Sequence, residues 1–257
     1  MHSPPRPFAI SIAGFDPSGG AGMLADVKTF ENLGVYGMGA LTALTHQNDR
    51  EFTSVRWQDV AEITGQLDLL LARFEVTHFK LGILPHWEAL RQVLDYLYER
   101  VEKPIIVLDP VLKASAGYEL QQDGMPQLLE QLHRVYCITP NMPEAQKILN
   151  TNELNDVLEQ LSEVTNIYLK GGHAEGGTAV DLLYTADHTF AYTNDRLAKG
   201  AKHGSGCVLS AALTAGLALG LELPDAAELA NLYTHQFLAS NETLLGYHLP
   251  FSYASDK

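Results

Sequence analysis

Cysteine is nearly absent: Cys137 and Cys207 are the only two in 257 residues. Neither their number nor their spacing supports a disulfide framework or a zinc site, so a reducing, cytoplasmic setting is the expectation. Basic residues are also few, 17 lysines and arginines against 31 aspartates and glutamates, for a net charge of -14. With no basic surface, nucleic-acid backbones and anionic membranes are excluded as partners. A small anionic ligand is not excluded, because a nest of backbone amides binds anions whatever the net charge. No apolar run approaches membrane-spanning length, and AISIAG, following MHSPPRPF, is too short for a signal-peptide core. No charge block, repeat or low-complexity linker divides the chain, and residues 1–257 are expected to form a single domain. Apolar residues, by contrast, make up 46%, enough for a large core without disulfides or structural metals.

Short apolar runs alternate with amphipathic segments, the pattern of an α/β fold with a mostly parallel sheet. Candidate strands are Phe8–Ala13, His78–Leu84, Ile105–Val111, Val135–Thr139 and Ile167–Lys170. Met23, Val27, Phe30 and Leu33 share one helical face, and Gly34 is placed to end that helix. Trp87–Tyr98, Met142–Leu149 and Leu154–Val164 also read as helices, and Val180–Tyr184 and Thr189–Thr193 as a hairpin. Gly206–Leu219 is apolar or small on every side, which predicts a buried helix.

Three features fall at the ends of candidate strands, where open α/β sheets bind ligands. The first is SIAGFDPSGGAG, Ser11–Gly22, a Gly-rich turn between strand and helix that is either tight punctuation or a place where backbone approaches a ligand. It fits neither a P-loop nor G-x-G-x-x-G. The second is LDPV, Leu108–Val111, followed by ITPNMPEAQ, Ile138–Gln146. Asp109 ends an apolar strand, where an unpartnered carboxylate is costly. Asn141 and Glu144 form a capping-box pair, or else Glu144 organises water around magnesium and phosphates. The third is HGSGC, His203–Cys207, where the amides of Gly204, Ser205, Gly206 and Cys207 can converge at a helix N-terminus on developing negative charge. The helix dipole there favours a Cys207 thiolate, making it a candidate general base; the alternative is a tight turn and a packed cysteine.

Taken with LGVYGMGALTALTHQN, KLGIL and LKGGH, these motifs occur in an order and spacing that resemble the hydroxymethylpyrimidine/phosphomethylpyrimidine kinases of thiamine biosynthesis, in the ribokinase superfamily. The likeness runs from about Phe8 to Leu221. It implies a doubly wound ribokinase-like sheet flanked by helices, ATP and magnesium as cofactors, a small pyrimidine as substrate, and a homodimer. The dimer is expected near an apolar loop at Val35–Leu44. By the same resemblance Gly14, Asp26, Gln47, Leu84 and Val111 contact the substrate, Asn141 and Lys170 the nucleotide, and Asp109 and Glu144 the magnesium and phosphate network. Cys207, with the amides of Gly204–Gly206, carries the chemistry. A Gln amide presents a donor beside an acceptor, complementary to an aminopyrimidine edge. The chain departs from the family at Ala116, Ser205 and Val208, in KGAKHG, and in its C-terminal tail. Pyridoxal kinase and a non-catalytic vitamin-precursor binding protein are the competing readings.

Overall fold

A computed structural model describes residues 5–113, 117–120, 124–153, 155–171, 177–197 and 201–253; Ala116 and Leu154 lie outside these. In chain order the first elements are β1 (Phe8–Phe15), α1 (Gly22–Asn32), β2 (Tyr36–Gln47), β3 (Phe52–Trp57), α2 (Val60–Leu71) and β4 (His78–Leu81). There follow α3 (Trp87–Arg100), β5 (Ile105–Leu108), α4 (Met125–Gln131), β6 (Cys137–Ile138), α5 (Met142–Leu149) and α6 (Asn155–Ser162). The last are β7 (Asn166–Leu169), β8 (Thr178–Tyr184), β9 (Thr189–Asp195), α7 (Ser205–Ala218) and α8 (Leu223–Ala239).

The described strands form one nine-stranded sheet in the order β3-β2-β1-β4-β5-β6-β7-β8-β9. From β2 to β7 along this order neighbours are parallel, while β3, β8 and β9 join antiparallel at the edges. The two-residue period of a strand assigns alternate side chains to opposite faces. Ile10, Ile12, Ile106, Leu108, Ile138 and Ile167 pack with Ile63 of α2 and Leu90 and Leu94 of α3. Val107, Cys137 and Tyr168 point the other way, into α7 and α8. Helices on both faces make the sheet doubly wound, as the family resemblance implies. Its direction of growth reverses between β1 and β4, and such a switch point opens a crevice at the carboxyl ends of the strands.

One expectation is corrected here. Val35–Leu44 is not a loop: most of it lies in β2, paired in parallel with β1 and, from Ala43 onward, also with β3, with Met38, Ala40 and Ala43 buried. Its glycines and alanines mask the alternation that marks a strand, yet small residues are what the closely packed α1 permits. α7 is buried continuously from Val208 to Leu217, as its sequence requires, because α1, α8 and the sheet cover it.

Candidate active site

The parallel strands deliver one chemical group after another to the same edge of the sheet. Gly14 is the penultimate residue of β1, Gln47 ends β2, and Asp109, Asn141 and Lys170 follow β5, β6 and β7; all line a cavity of about 410 Å³. A second cavity of about 590 Å³ shares Lys170, Ser205 and Gly206 with the first and extends past Asp181, Asn194 and Asn231.

The loop between β1 and α1 is wound around Asp16. Its buried carboxylate accepts from the Ser18 amide at 2.9 Å, the Ser18 hydroxyl at 2.8 Å and the Ala21 amide at 2.9 Å. Burial alone would raise the carboxyl pKa, but the hydrogen bonds from His203 and Ser18 outweigh it and hold it below the usual value. At the end of this loop Gly22 has φ of +59°, and a Cβ there would sit 2.3 Å from the Gly14 carbonyl oxygen. Only glycine lets the strand end and the helix start come this close.

α7 begins just across the cavity. Its N-cap, Gly204, is left-handed at φ +76°, and a Cβ would meet the Gly20 carbonyl oxygen at 2.0 Å. The two glycine-containing loops therefore touch backbone to backbone. First-turn amides of a helix lack intrahelical acceptors. Those of Gly206 and Cys207 stand at the cavity edge, and that of Ser205 makes a long 3.4 Å bond to the Lys202 carbonyl. The Gly22 backbone favours ionisation of the Cys207 thiol, against the larger effect of burial.

Opposite this loop, Lys170 Nζ donates to Asp109 Oδ1 at 3.0 Å and lies 3.8 Å from Glu144 Oε2. Burial works against its charge, but the two carboxylates outweigh that and raise the Lys170 pKa. Burial, and secondarily Asp109, raise the Glu144 carboxyl, while Lys170 pulls it down. The capping box is fully formed: Glu144 N–H donates to Asn141 Oδ1 and Asn141 N–H to Glu144 Oε2, both at 2.9 Å. Structural and chemical readings of this pair coexist, since the cap itself holds the carboxylate at the cavity.

The phosphomethylpyrimidine kinase family profile matches residues 16–252. The chain belongs to this family. It is 35% identical over 246 residues to a hydroxymethylpyrimidine/phosphomethylpyrimidine kinase of Rhizobium meliloti strain 1021, covering 92% of each chain. A crystal structure of phosphomethylpyrimidine kinase from Clostridium difficile 630 superposes with a TM-score of 0.76 at 31% identity, covering 90% of this chain and 99% of that one. The pyridoxal kinase from Staphylococcus aureus in complex with AMP-PCP and pyridoxal superposes with a TM-score of 0.80 at 27% identity, covering 92% of this chain and 89% of that one.

Of the residues that the family resemblance singled out, Gly14, Gln47, Asp109, Val111, Asn141, Glu144, Lys170 and Gly204–Cys207 all line the first cavity. Gln47 is oriented by a 2.8 Å bond from Nε2 to Thr45 Oγ1, whose own proton goes to the Phe15 carbonyl. Three expectations change. Leu84 turns away into the core, and its neighbours Gly82 and Ile83 supply the wall. Asp26 is fully buried and not at the cavity lining; Lys80 Nζ bonds both its oxygens, at 3.0 and 2.9 Å, and Ser11 Oγ donates at 2.6 Å. The Cys207 thiol is pushed up to about 11 by burial, with Lys80 opposing, so the helix dipole does not make it a resting thiolate.

Lys80 opens the KLGIL motif, yet sequence reading gives it no role. It is a fully buried ammonium on β4 that reaches the cavity lining. Burial alone would lower its pKa, but Asp26 raises it and keeps the charge. A lysine inside the apolar strand HFKL signals a buried partner, although not which one. Removing one member of such a pair leaves the other uncompensated, at a cost of about 3–5 kcal/mol. Lys80→Met is thus expected to lower Tm by roughly 10 °C, using about 2–4 °C per kcal/mol for a chain of this size. Pairing it with Asp26→Leu should restore most of that loss in a thermal melt; an uncorrected melt would mean the pair is not what stabilises this layer.

Proposed function

We propose that this chain transfers the terminal phosphoryl group of ATP to the hydroxymethyl group of 4-amino-5-hydroxymethyl-2-methylpyrimidine, in thiamine biosynthesis or salvage. The observation that carries this reading is the meeting of two cavities at Lys170, Ser205 and Gly206. A pyrimidine in the smaller cavity faces the Gln47 amide. A nucleotide in the larger one brings its terminal phosphate to the shared edge, where first-turn amides and the Lys170 ammonium face developing charge. Phosphoryl transfer asks a protein mainly for alignment and charge stabilisation, which these groups supply. Asp109 and Glu144 offer hard oxygen donors on either side of Lys170, a set that fits magnesium held by one or two carboxylates plus phosphates. Bound there, the ion would neutralise charge on the phosphates during transfer. Cys207 lies beside the amides, and in its thiolate form it would accept the hydroxymethyl proton.

A pyridoxal kinase is the second reading, favoured by the TM-score of 0.80 to the pyridoxal-bound enzyme. A coupled ADP-release assay with hydroxymethylpyrimidine, its monophosphate and pyridoxal side by side separates the two. Hydroxymethylpyrimidine is expected to give the highest kcat/KM; preference for pyridoxal overturns the proposal, and no ADP release with any of the three points to a binding protein. The monophosphate arm reports whether the second phosphorylation occurs. The proposal includes one kinase domain across residues 1–257, supported by the continuity of the sheet, and a homodimer, supported by the resemblance; light scattering that finds only monomer at micromolar concentration removes the dimer. It also places the chain in the cytoplasm, supported by two free cysteines. Among the described residues no helix is long and apolar enough to cross a membrane.

A further inference from the structure

His203 carries no role in the scheme above, yet it lines the first cavity with its side chain almost wholly buried. Its Nε2 lies 2.9 Å from Asp16 Oδ2, and that carboxylate already accepts from Ser18 and Ala21. An ionised Asp16 only accepts, so the proton of this bond sits on Nε2 of the imidazole. The His203 amide is also fixed, donating to the Leu244 carbonyl at 2.9 Å. Lys202, the residue before, anchors its ammonium to Asn241 and to the Thr243 carbonyl. His203 thus stands between a segment following α8 and the loop that precedes α1. The next residue is Gly204, whose Cα carbon rests against the Gly20 carbonyl.

We propose that His203 is a positioning residue for phosphoryl transfer: its bond to Asp16 locks the amide-bearing start of α7 to the loop at Gly14–Gly22. The two loops hold different reactants in the scheme above. The first forms part of the acceptor's wall, and the second presents Gly206 and Cys207 to the transferring group. Among the described residues, the Asp16–His203 bond and the Gly20–Gly204 contact fix one relative to the other. Losing the side-chain bond would leave each loop intact while loosening the alignment between them. A misplacement of about 1 Å can cost roughly 10²-fold in rate.

The inference rests on the kinase reading, and the experiment separates the two. Wild-type chain that releases no ADP with hydroxymethylpyrimidine fails the reading, whatever His203 does. With the wild type active, His203→Ala is expected to lower kcat about 100-fold while KM for ATP and for hydroxymethylpyrimidine stay within threefold. His203→Gln, which can still reach Asp16 with a donor, should recover at least tenfold of that loss. In an Asp16→Ala background, His203→Ala should cost less than threefold further, because the bond is already gone. A separate readout needs no turnover: mass-resolved alkylation of Cys207 should quicken at least fivefold in His203→Ala, and return toward wild type in His203→Gln. Should Asp16→Ala fail to fold, the Ala and Gln variants at position 203 still decide the matter. An unchanged kcat in His203→Ala, a Gln variant as impaired as Ala, independent losses in the double variant, or unchanged Cys207 labelling would each overturn the inference.

Discussion

Cys207→Ala is expected to lose roughly 10²–10⁴ in the single-turnover rate of hydroxymethylpyrimidine phosphorylation, the usual worth of a positioned proton acceptor. The backbone amide of residue 207 survives the change, so affinity for ATP and for the pyrimidine should be preserved. The unusual part is the pH dependence. With its thiol pushed up to about 11, Cys207 is ionised in about one molecule in ten thousand at pH 7. If the thiolate is the acceptor, kcat/KM rises close to tenfold per pH unit between 7 and 9, because the reactive form of the free enzyme grows in that proportion. Cys207→Asp puts a group there that is already ionised at neutral pH, and its profile should be flat over the same range at a lower ceiling. A wild-type profile that is flat from 7 to 9, or an alanine variant with an unchanged rate, assigns the proton elsewhere and leaves Cys207 only its amide.

The second large effect is at Gln47. Replacement by Glu is expected to cut kcat/KM for hydroxymethylpyrimidine by about 10³, with nucleotide affinity unaltered. Nε2 now gives one proton to Thr45, leaving a second donor and Oε1 for a ligand. A carboxylate loses both donors. It also faces a Thr45 hydroxyl whose proton is committed to Phe15, so oxygen opposes oxygen on one side and meets a ring acceptor on the other. Sites built around hydrogen bonds lose discrimination steeply when a partner is left unpaired. Gln47→Glu enzyme with pyrimidine turnover near wild type would place Gln47 outside the acceptor's contacts.

What sequence reading captures, and what escapes it, follows from how far apart the interacting residues lie. α5 is found at Met142–Leu149, as expected, because Asn141, Pro143 and Glu144 write its start locally. α7 is legible because fourteen positions without a charge can only be interior. β2 escapes because Gly37, Gly39, Ala40 and Ala43 carry little hydrophobic signal although the strand runs inside the sheet. α8 has an apolar stripe through Ala226, Leu229, Ala230, Tyr233 and Phe237 and a proline in its first turn, so its signals were present to be read. In the site, Asp109 and Lys170 are visible as charges ending apolar runs, and Glu144 as the third helical position of a capping box. The pairs Asp26–Lys80 and Asp16–His203 are not, since their partners are 54 and 187 positions away and each residue alone looks like a helix carboxylate, a strand lysine or a loop histidine. Leu84 is misplaced for a simpler reason: β4 ends at Leu81, and the turn that follows brings Ile83 to the cavity instead.

The 187-position span of the Asp16–His203 bond has a consequence for how the protein is made. At about 5–20 residues per second, a ribosome needs roughly 10–40 s between emitting the two partners. Through that interval the loop at Asp16 exists with its local turn but without the element that completes it, and Leu244 and Thr243 arrive later still. Nascent chains that end before His203 therefore lack the Asp16–His203 bond, whatever other parts of the cavity they already hold. If that bond aligns the two loops, competence for phosphoryl transfer cannot precede the emergence of the start of α7.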